Sequence, residues 1–221
     1  MLDEGLVLVG GGVGAEADRP YDSDPYDVVA YHGGFVVADA AANDLLQVSK
    51  WGTVSLLARF PAFAEQASAG LIGNPAPITI KAQAVPTSIA IGPDGAIYVG
   101  LLRGVPSDPG TAFIYRVVPG QQPTIWARGL TAVTAIAFDS QGRLLATEYS
   151  TGGLLAPATV PGALVRVSAD GQTVTTLPVP GLYQPTGVAV GPHGAIYVSN
   201  YGYSTATASH LGEVLKITGL S

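Results

Sequence analysis

Cysteine is absent from this chain, which removes disulfides, thiolate zinc sites and cysteine nucleophiles from its chemistry while leaving its compartment open. Charge is sparse as well. Charged residues make up 12% of the sequence, and the ten Lys and Arg are scattered singly against sixteen Asp and Glu, for a formal net charge of -6. No basic stripe is available to neutralise phosphates, so nucleic acid is excluded as an expected partner. Long apolar runs are missing too. Leu6 to Val9 is too short for a signal-peptide core or a membrane span, and Asp3 and Glu4 precede it where basic residues would be expected. The sequence therefore predicts neither a membrane span nor a signal peptide. Sustained 3.6-residue periodicity is also lacking, whereas Gly (29) and Pro (17) are plentiful and 48% of residues are hydrophobic. Short strands joined by turns, and hence an all-β fold with a large core, follow from that balance.

One phrase recurs four times: Pro25-Tyr-Asp-Val-Val-Ala30, Pro86-Thr-Ser-Ile-Ala-Ile91, Val133-Thr-Ala-Ile-Ala-Phe138 and Pro185-Thr-Gly-Val-Ala-Val190. A Gly-containing turn follows each copy, then a second apolar strand, a variable loop and a third strand. A more polar fourth strand completes the first three copies, and the fourth copy reaches Ser221 without one. Repeats of roughly 40 to 50 residues with four strands each are the blades of a β-propeller. The expectation is one propeller domain over residues 1–221, with blades starting near 25, 86, 133 and 185. Pro61 to Val85 stands as a loop insertion in this scheme. Leu6 to Val9 could supply the missing outer strand and close four blades on themselves; otherwise the chain is the C-terminal part of a larger propeller.

The run Tyr21-Asp-Ser-Asp-Pro-Tyr-Asp-Val-Val, with Phe35-Val-Val-Ala-Asp39 and Asn43-Asp-Leu-Leu-Gln-Val48, resembles the ScyD/ScyE family of the scytonemin pigment cluster. The later segments Val85 to Gly100 and Pro185 to Asn200 look like that family's C-terminal blades. The family is similar to NHL-repeat and gluconolactonase-like propellers. The resemblance implies an extracytoplasmic, periplasmic or secreted, accessory or binding propeller, and it carries no catalytic activity over.

In a propeller, the loops leading into each first strand and those leaving each second strand gather on one face around the channel. Aligning the copies puts Asp39, Leu101, Glu148 and Asn200 at one position. Three oxygen-bearing side chains there could hold a hard cation such as Ca²⁺, and Asp22, Asp24 and Asp27 form a second candidate set without the turn glycine and terminal glutamate of an EF-hand. The alternative is that Asp39, Glu148 and Asn200 cap strand ends, and that the aspartates form a solvated loop. Tyr149, Tyr201 and Tyr203, with Arg103 and His210, are the candidate ligand-binding residues, since tyrosines at a channel mouth offer a flat apolar face and a hydroxyl to an aromatic or sugar-like molecule. His32 and His193 fall in hairpin turns on the opposite face. The favoured function is a non-catalytic binding or accessory propeller for a small molecule or partner protein. A metal-dependent hydrolase or lyase of the gluconolactonase or streptogramin-lyase kind is the alternative, and self-association through open blade edges a third expectation.

Overall fold

A computed structural model describes residues 22–203 and 212–220. The first sheet runs β1 (Pro25–Tyr31), β2 (Gly34–Asp39), β3 (Asp44–Val48) and β4 (Val54–Arg59), each strand antiparallel to the last. A hairpin follows, β5 (Phe63–Ala67) with β6 (Ile78–Ala82). The second blade is β7 (Pro86–Ile91), β8 (Ile97–Leu101), β9 (Ala112–Val117) and β10 (Thr124–Leu130). The third is β11 (Val133–Phe138), β12 (Leu144–Glu148), β13 (Ala163–Val167) and β14 (Val174–Thr176). The last described sheet has three strands, β15 (Gly187–Val190), β16 (Ile196–Asn200) and β17 (Glu213–Ile217). The all-β propeller class expected from the repeat is what the chain adopts, and among the described residues no helix is long and apolar enough to cross a membrane. The segment read as a loop insertion is instead the β5–β6 hairpin. Its strand alternation buries Ala67 and half-buries Phe63 and Glu65 while exposing Ala64 and Gln66. The proposed closing strand, Leu6 to Val9, lies outside the described residues.

Burial explains why the second strands read as continuous apolar runs. All five residues of β8 and all five of β12 are buried, because these two middle sheets are each covered on both faces by their neighbours. The innermost strands stand side by side in chain order, β1 against β7, β7 against β11 and β11 against β15. Three cores fill the seams: Val36 and Leu45 against Ile97, Val99 and Tyr115; Tyr98 and Ile114 against Ile136 and Leu144; Leu145 and Leu164 against Ile196 and Val198. Tyr98 meets the rings of Trp126 and Phe138 edge-on, each at 4.9 Å. At the far end of the second blade, Gly95 takes φ +77° in the β7–β8 turn, a left-handed conformation that glycine adopts without a Cβ penalty.

The repeated phrase also supplies the staples between blades. Thr87 Oγ1 donates to the Val133 carbonyl at 2.7 Å, and Thr134 Oγ1 donates to the Pro185 carbonyl at 2.7 Å. Tyr26 holds that slot in the first blade, where Asp27 Oδ2 accepts the Ile89 N–H at 2.7 Å instead. Replacing Thr134 with valine keeps the shape and removes the buried donor, so a loss of about 1–2 kcal/mol is expected. Urea denaturation reads it; an unchanged midpoint would show that the staple is idle.

Candidate functional site

The starts of the first strands and the ends of the second strands converge on one cleft of about 390 Å³, lined by Tyr26, Leu102, Thr134, Tyr149, Leu154, Thr186, Gly202 and Tyr203. It shares Tyr26, Thr134 and Thr186 with the central channel, a further space of about 340 Å³ between the four inner strands. Among the described residues no charged side chain lines the cleft, and Asp27 is the one carboxylate lining the channel. Three phenols, two leucines and two threonine hydroxyls make a surface for a flat, uncharged molecule with hydrogen-bonding edges. Burial raises the Tyr149 phenol above its usual range, with Tyr203 adding to the shift, so the Tyr149 ring stays neutral at physiological pH. A larger hollow of about 500 Å³ lies on the opposite face among Asp139, Arg143, Arg166 and His193, and the Asp139–Arg143 pair closes part of it at 2.8 Å.

Of the candidate ligand residues, Tyr149 and Tyr203 come together in the cleft. Tyr201 turns aside and stacks on Tyr183 with ring centroids 5.8 Å apart and planes 10° from parallel. Arg103, placed on the open loop face from the sequence, is 1% exposed. Its guanidinium pairs with Glu65 of the β5–β6 hairpin and lies 4.0 Å over the Phe63 ring, and burial lowers its pKa to about 10. It does not line the cleft. His210 lies outside the described residues. His32 and His193 occupy turns with φ 46° and 60°.

The aligned polar position braces loops. Asp39 Oδ1 accepts the Asp24 N–H at 2.7 Å and the Ala42 N–H at 3.1 Å. Glu148 Oε1 accepts the Thr131 N–H at 2.8 Å, and Asn200 Oδ1 accepts the Tyr183 N–H at 2.7 Å while its Nδ2 donates to the Gly181 carbonyl and to Glu213. Each side chain fastens the end of a second strand to the segment leading into the first strand of its own blade. Leu101 cannot do this for the second blade, and Asn43 reaches across from the first, accepting the Val85 N–H at 2.9 Å and donating to Gln83. None of Asp39, Glu148 and Asn200 lines the channel or the cleft. Burial pushes the Glu148 carboxyl up to about 7, against the pull of the Thr131 N–H.

The second acidic set is dispersed in the same way. Asp22 and Asp24 border a shallow cleft with Asn43 and Gln83, whereas both oxygens of Asp27 accept backbone N–H groups, from Val28 and Ile89. Among the described residues, no three His, Asp or Glu side chains gather as a metal-holding group. Of the carboxylates expected to hold a cation, those of Asp39, Glu148 and Asp27 are engaged in loop and blade hydrogen bonds. Tyr26, Leu102 and Leu154 were not singled out by the sequence. Tyr26 was legible in principle, being the one aromatic in a slot held by Thr87, Thr134 and Thr186 in the other copies.

No family model and no curated protein sequence matches the chain. Its likenesses are to solved structures. One, provisionally assigned as a gluconolactonase, superposes with a TM-score of 0.56 at 18% identity, over 92% of this chain and 67% of that one. A gluconolactonase from Xanthomonas campestris aligns at TM-score 0.40 and 17% identity over 81% of this chain and 70% of its own. Virginiamycin B lyase from Staphylococcus aureus aligns at TM-score 0.44 and 16% identity, over 89% and 70%. At such identities the likeness is one of fold, and the first of these structures bears out the propeller class. The ScyD/ScyE resemblance rests on its motifs alone.

Proposed function

We propose that the chain is a non-catalytic binding propeller whose mouth cleft holds an uncharged small molecule with a flat apolar face and hydroxyl groups. The observation that carries this reading is the meeting of Tyr26, Tyr149 and Tyr203 around a cleft lined by no charged side chain among the described residues. Placement outside the cytoplasm, in the periplasm or secreted, and an accessory role of the ScyD/ScyE kind accompany the reading through the motif resemblance. The competing reading, a metal-dependent hydrolase or lyase using Ca²⁺, has the fold likeness to gluconolactonases and streptogramin lyases on its side.

Aryl glycosides test the two together, because they offer both a ring and hydroxyls. Titration followed by tyrosine fluorescence is expected to show saturable binding. Tyr149→Ala and Tyr203→Ala should each weaken it about tenfold, the equivalent of roughly 1–1.5 kcal/mol for a ring contact. Release of free phenol in proportion to protein, stimulated by added Ca²⁺, would sink the non-catalytic reading.

A further inference from the structure

We propose that the hollow between the third and fourth blades, on the face opposite the tyrosine cleft, is a second binding site, which takes the carboxylate of a small hydroxylated acid. The hollow exists because an aromatic filling is missing. In the seam between the second and third blades, the corresponding space holds Tyr98 and Phe138, whose rings meet at 4.9 Å. The strand registers put Leu145 at the position of Tyr98 and Val190 at that of Phe138. These smaller side chains leave about 500 Å³ open, a volume in the range of small-molecule sites.

The second blade shows what the same framework does with a carboxylate. Its turn aspartate, Asp94, pairs with Arg116 of β9 at 2.7 Å and accepts the Tyr98 hydroxyl at 3.3 Å. In the third blade the cation is kept: Arg166 of β13 lies across from Leu145 as Arg116 lies across from Tyr98. The carboxylate is not kept, because Gln141 stands in the turn where Asp94 would. A second guanidinium is added, since Arg143 takes the place of Ala96. Arg143, Arg166 and His193, the last from the turn of the fourth blade, line the hollow, and among the described residues Asp139 is the one carboxylate there. Asp139 is committed to its own turn: Oδ1 accepts the Gln141 and Arg143 N–H groups at 2.9 Å each, and Oδ2 accepts Arg143 Nε at 2.8 Å. Both terminal nitrogens of Arg143 lie outside that bond, and Arg166 Nη2 donates to the Leu220 carbonyl at 3.1 Å. A chain of net charge -6 thus gathers positive charge and hydrogen-bond donors around one hollow. A carboxylate brought by a ligand takes the place that Asp94 holds in the second blade and gains charge-assisted hydrogen bonds from the guanidinium side. The exposed side chains of Ser140 and Gln141, which also line the hollow, supply partners for the ligand's hydroxyl groups.

Glucose, glucuronate and glucose 6-phosphate differ at C6 alone, so isothermal titration calorimetry with the three separates the contribution of the anion from that of the ring. The inference does not rest on the tyrosine cleft, and titrations in a Tyr149→Ala chain keep the two sites apart. That chain is expected to bind glucuronate as the parent does, and at least about tenfold more tightly than glucose, the effect of about one charged hydrogen bond. Arg143→Gln should weaken glucuronate binding by about the same factor. Gln141→Asp copies the turn of the second blade and puts a carboxylate of the protein where that of the ligand would sit. Its circular dichroism should match that of the parent, and its affinity for glucuronate should fall at least about tenfold. No heat with glucuronate, equal affinity for glucose and glucuronate in the Tyr149→Ala chain, or unchanged affinity in Gln141→Asp would each overturn the proposal. Tighter binding of glucose 6-phosphate than of glucuronate would overturn the carboxylate as the group recognised and put a phosphate in its place.

Discussion

Replacing Arg103 with alanine is expected to destabilise the chain by about 3–5 kcal/mol, the usual cost of removing one partner of a buried ion pair. Arg103 is 1% exposed and Glu65 12%, so alanine would strand a carboxylate under the β5–β6 hairpin with no counter-charge. The same change removes the guanidinium from the faces of Phe63, at 4.0 Å, and Phe113, at 5.2 Å. Lysine should not rescue it, because a compact ammonium cannot stack as the planar guanidinium does. The pair is also under-satisfied: Arg103 Nε and Nη1 and Glu65 Oε2 have no hydrogen-bond partner. For that reason Arg103→Leu combined with Glu65→Leu should recover most of the loss, since apolar replacement of a buried pair is often neutral or better. Urea denaturation measures the stability, and limited proteolysis between residues 61 and 85 shows whether the hairpin detaches first. Equal midpoints and equal cleavage for the alanine variant and the parent would show that the clamp holds nothing.

The second large effect concerns Asp44. Its carboxylate is fully buried and neither oxygen has a hydrogen-bond partner. Burial pushes its pKa up to about 7, the Asp39 charge adds to the rise, and Arg59 opposes it. The folded chain therefore holds this proton more tightly than the unfolded chain, whose aspartates titrate near 3.9. Below that value both states are protonated and nothing is lost. As pH rises toward 7 the unfolded state is increasingly favoured, and above 7 the penalty is constant. Three pH units correspond to about 4 kcal/mol at 1.36 kcal/mol each, of which local relaxation should leave about 2 kcal/mol. Asp44→Asn is accordingly expected to stabilise the chain by about 2 kcal/mol at pH 8 and to give no gain at pH 3.5. A gain that is equal at both pH values would refute the assignment, and a loss at pH 8 would show that the ionised carboxylate is stabilised by Arg59.

The blades were legible in the sequence because their signal is repeated and local. Four apolar phrases, each followed by a glycine turn, define strands whose registers need only neighbouring residues. The β5–β6 hairpin was not legible, since Pro61 to Val85 has no counterpart in the other copies, and its inward residues become recognisable only once Arg103 is seen beneath them. Arg103 itself illustrates the limit for sites: a loop arginine is expected in water, and only a distant insertion puts it inside. Asp39, Glu148 and Asn200 align correctly, yet alignment fixes where a side chain starts and not what it bonds. Their partners, Asp24, Thr131 and Tyr183, lie 15 to 17 residues upstream, a spacing no motif records. Tyr149 and Tyr203 were placed at the channel mouth because aromatic residues in otherwise small-residue loops have few uses there besides packing or binding, and Tyr201, chosen on the same ground, packs on Tyr183 instead.

The staples between blades have a bearing on how the chain unravels. Each inter-blade hydrogen bond of the repeated phrase joins a blade to the next one only, Asp27 to Ile89, Thr87 to Val133 and Thr134 to Pro185. A molecule coupled in this nearest-neighbour fashion behaves as a short one-dimensional array, in which a unit with two neighbours is held twice and a terminal unit once. Opening should then begin at the ends and travel inward, so that amide hydrogens of β8 and β12 exchange last and those of β2 and β16 earlier, although all four strands are central in their own sheets.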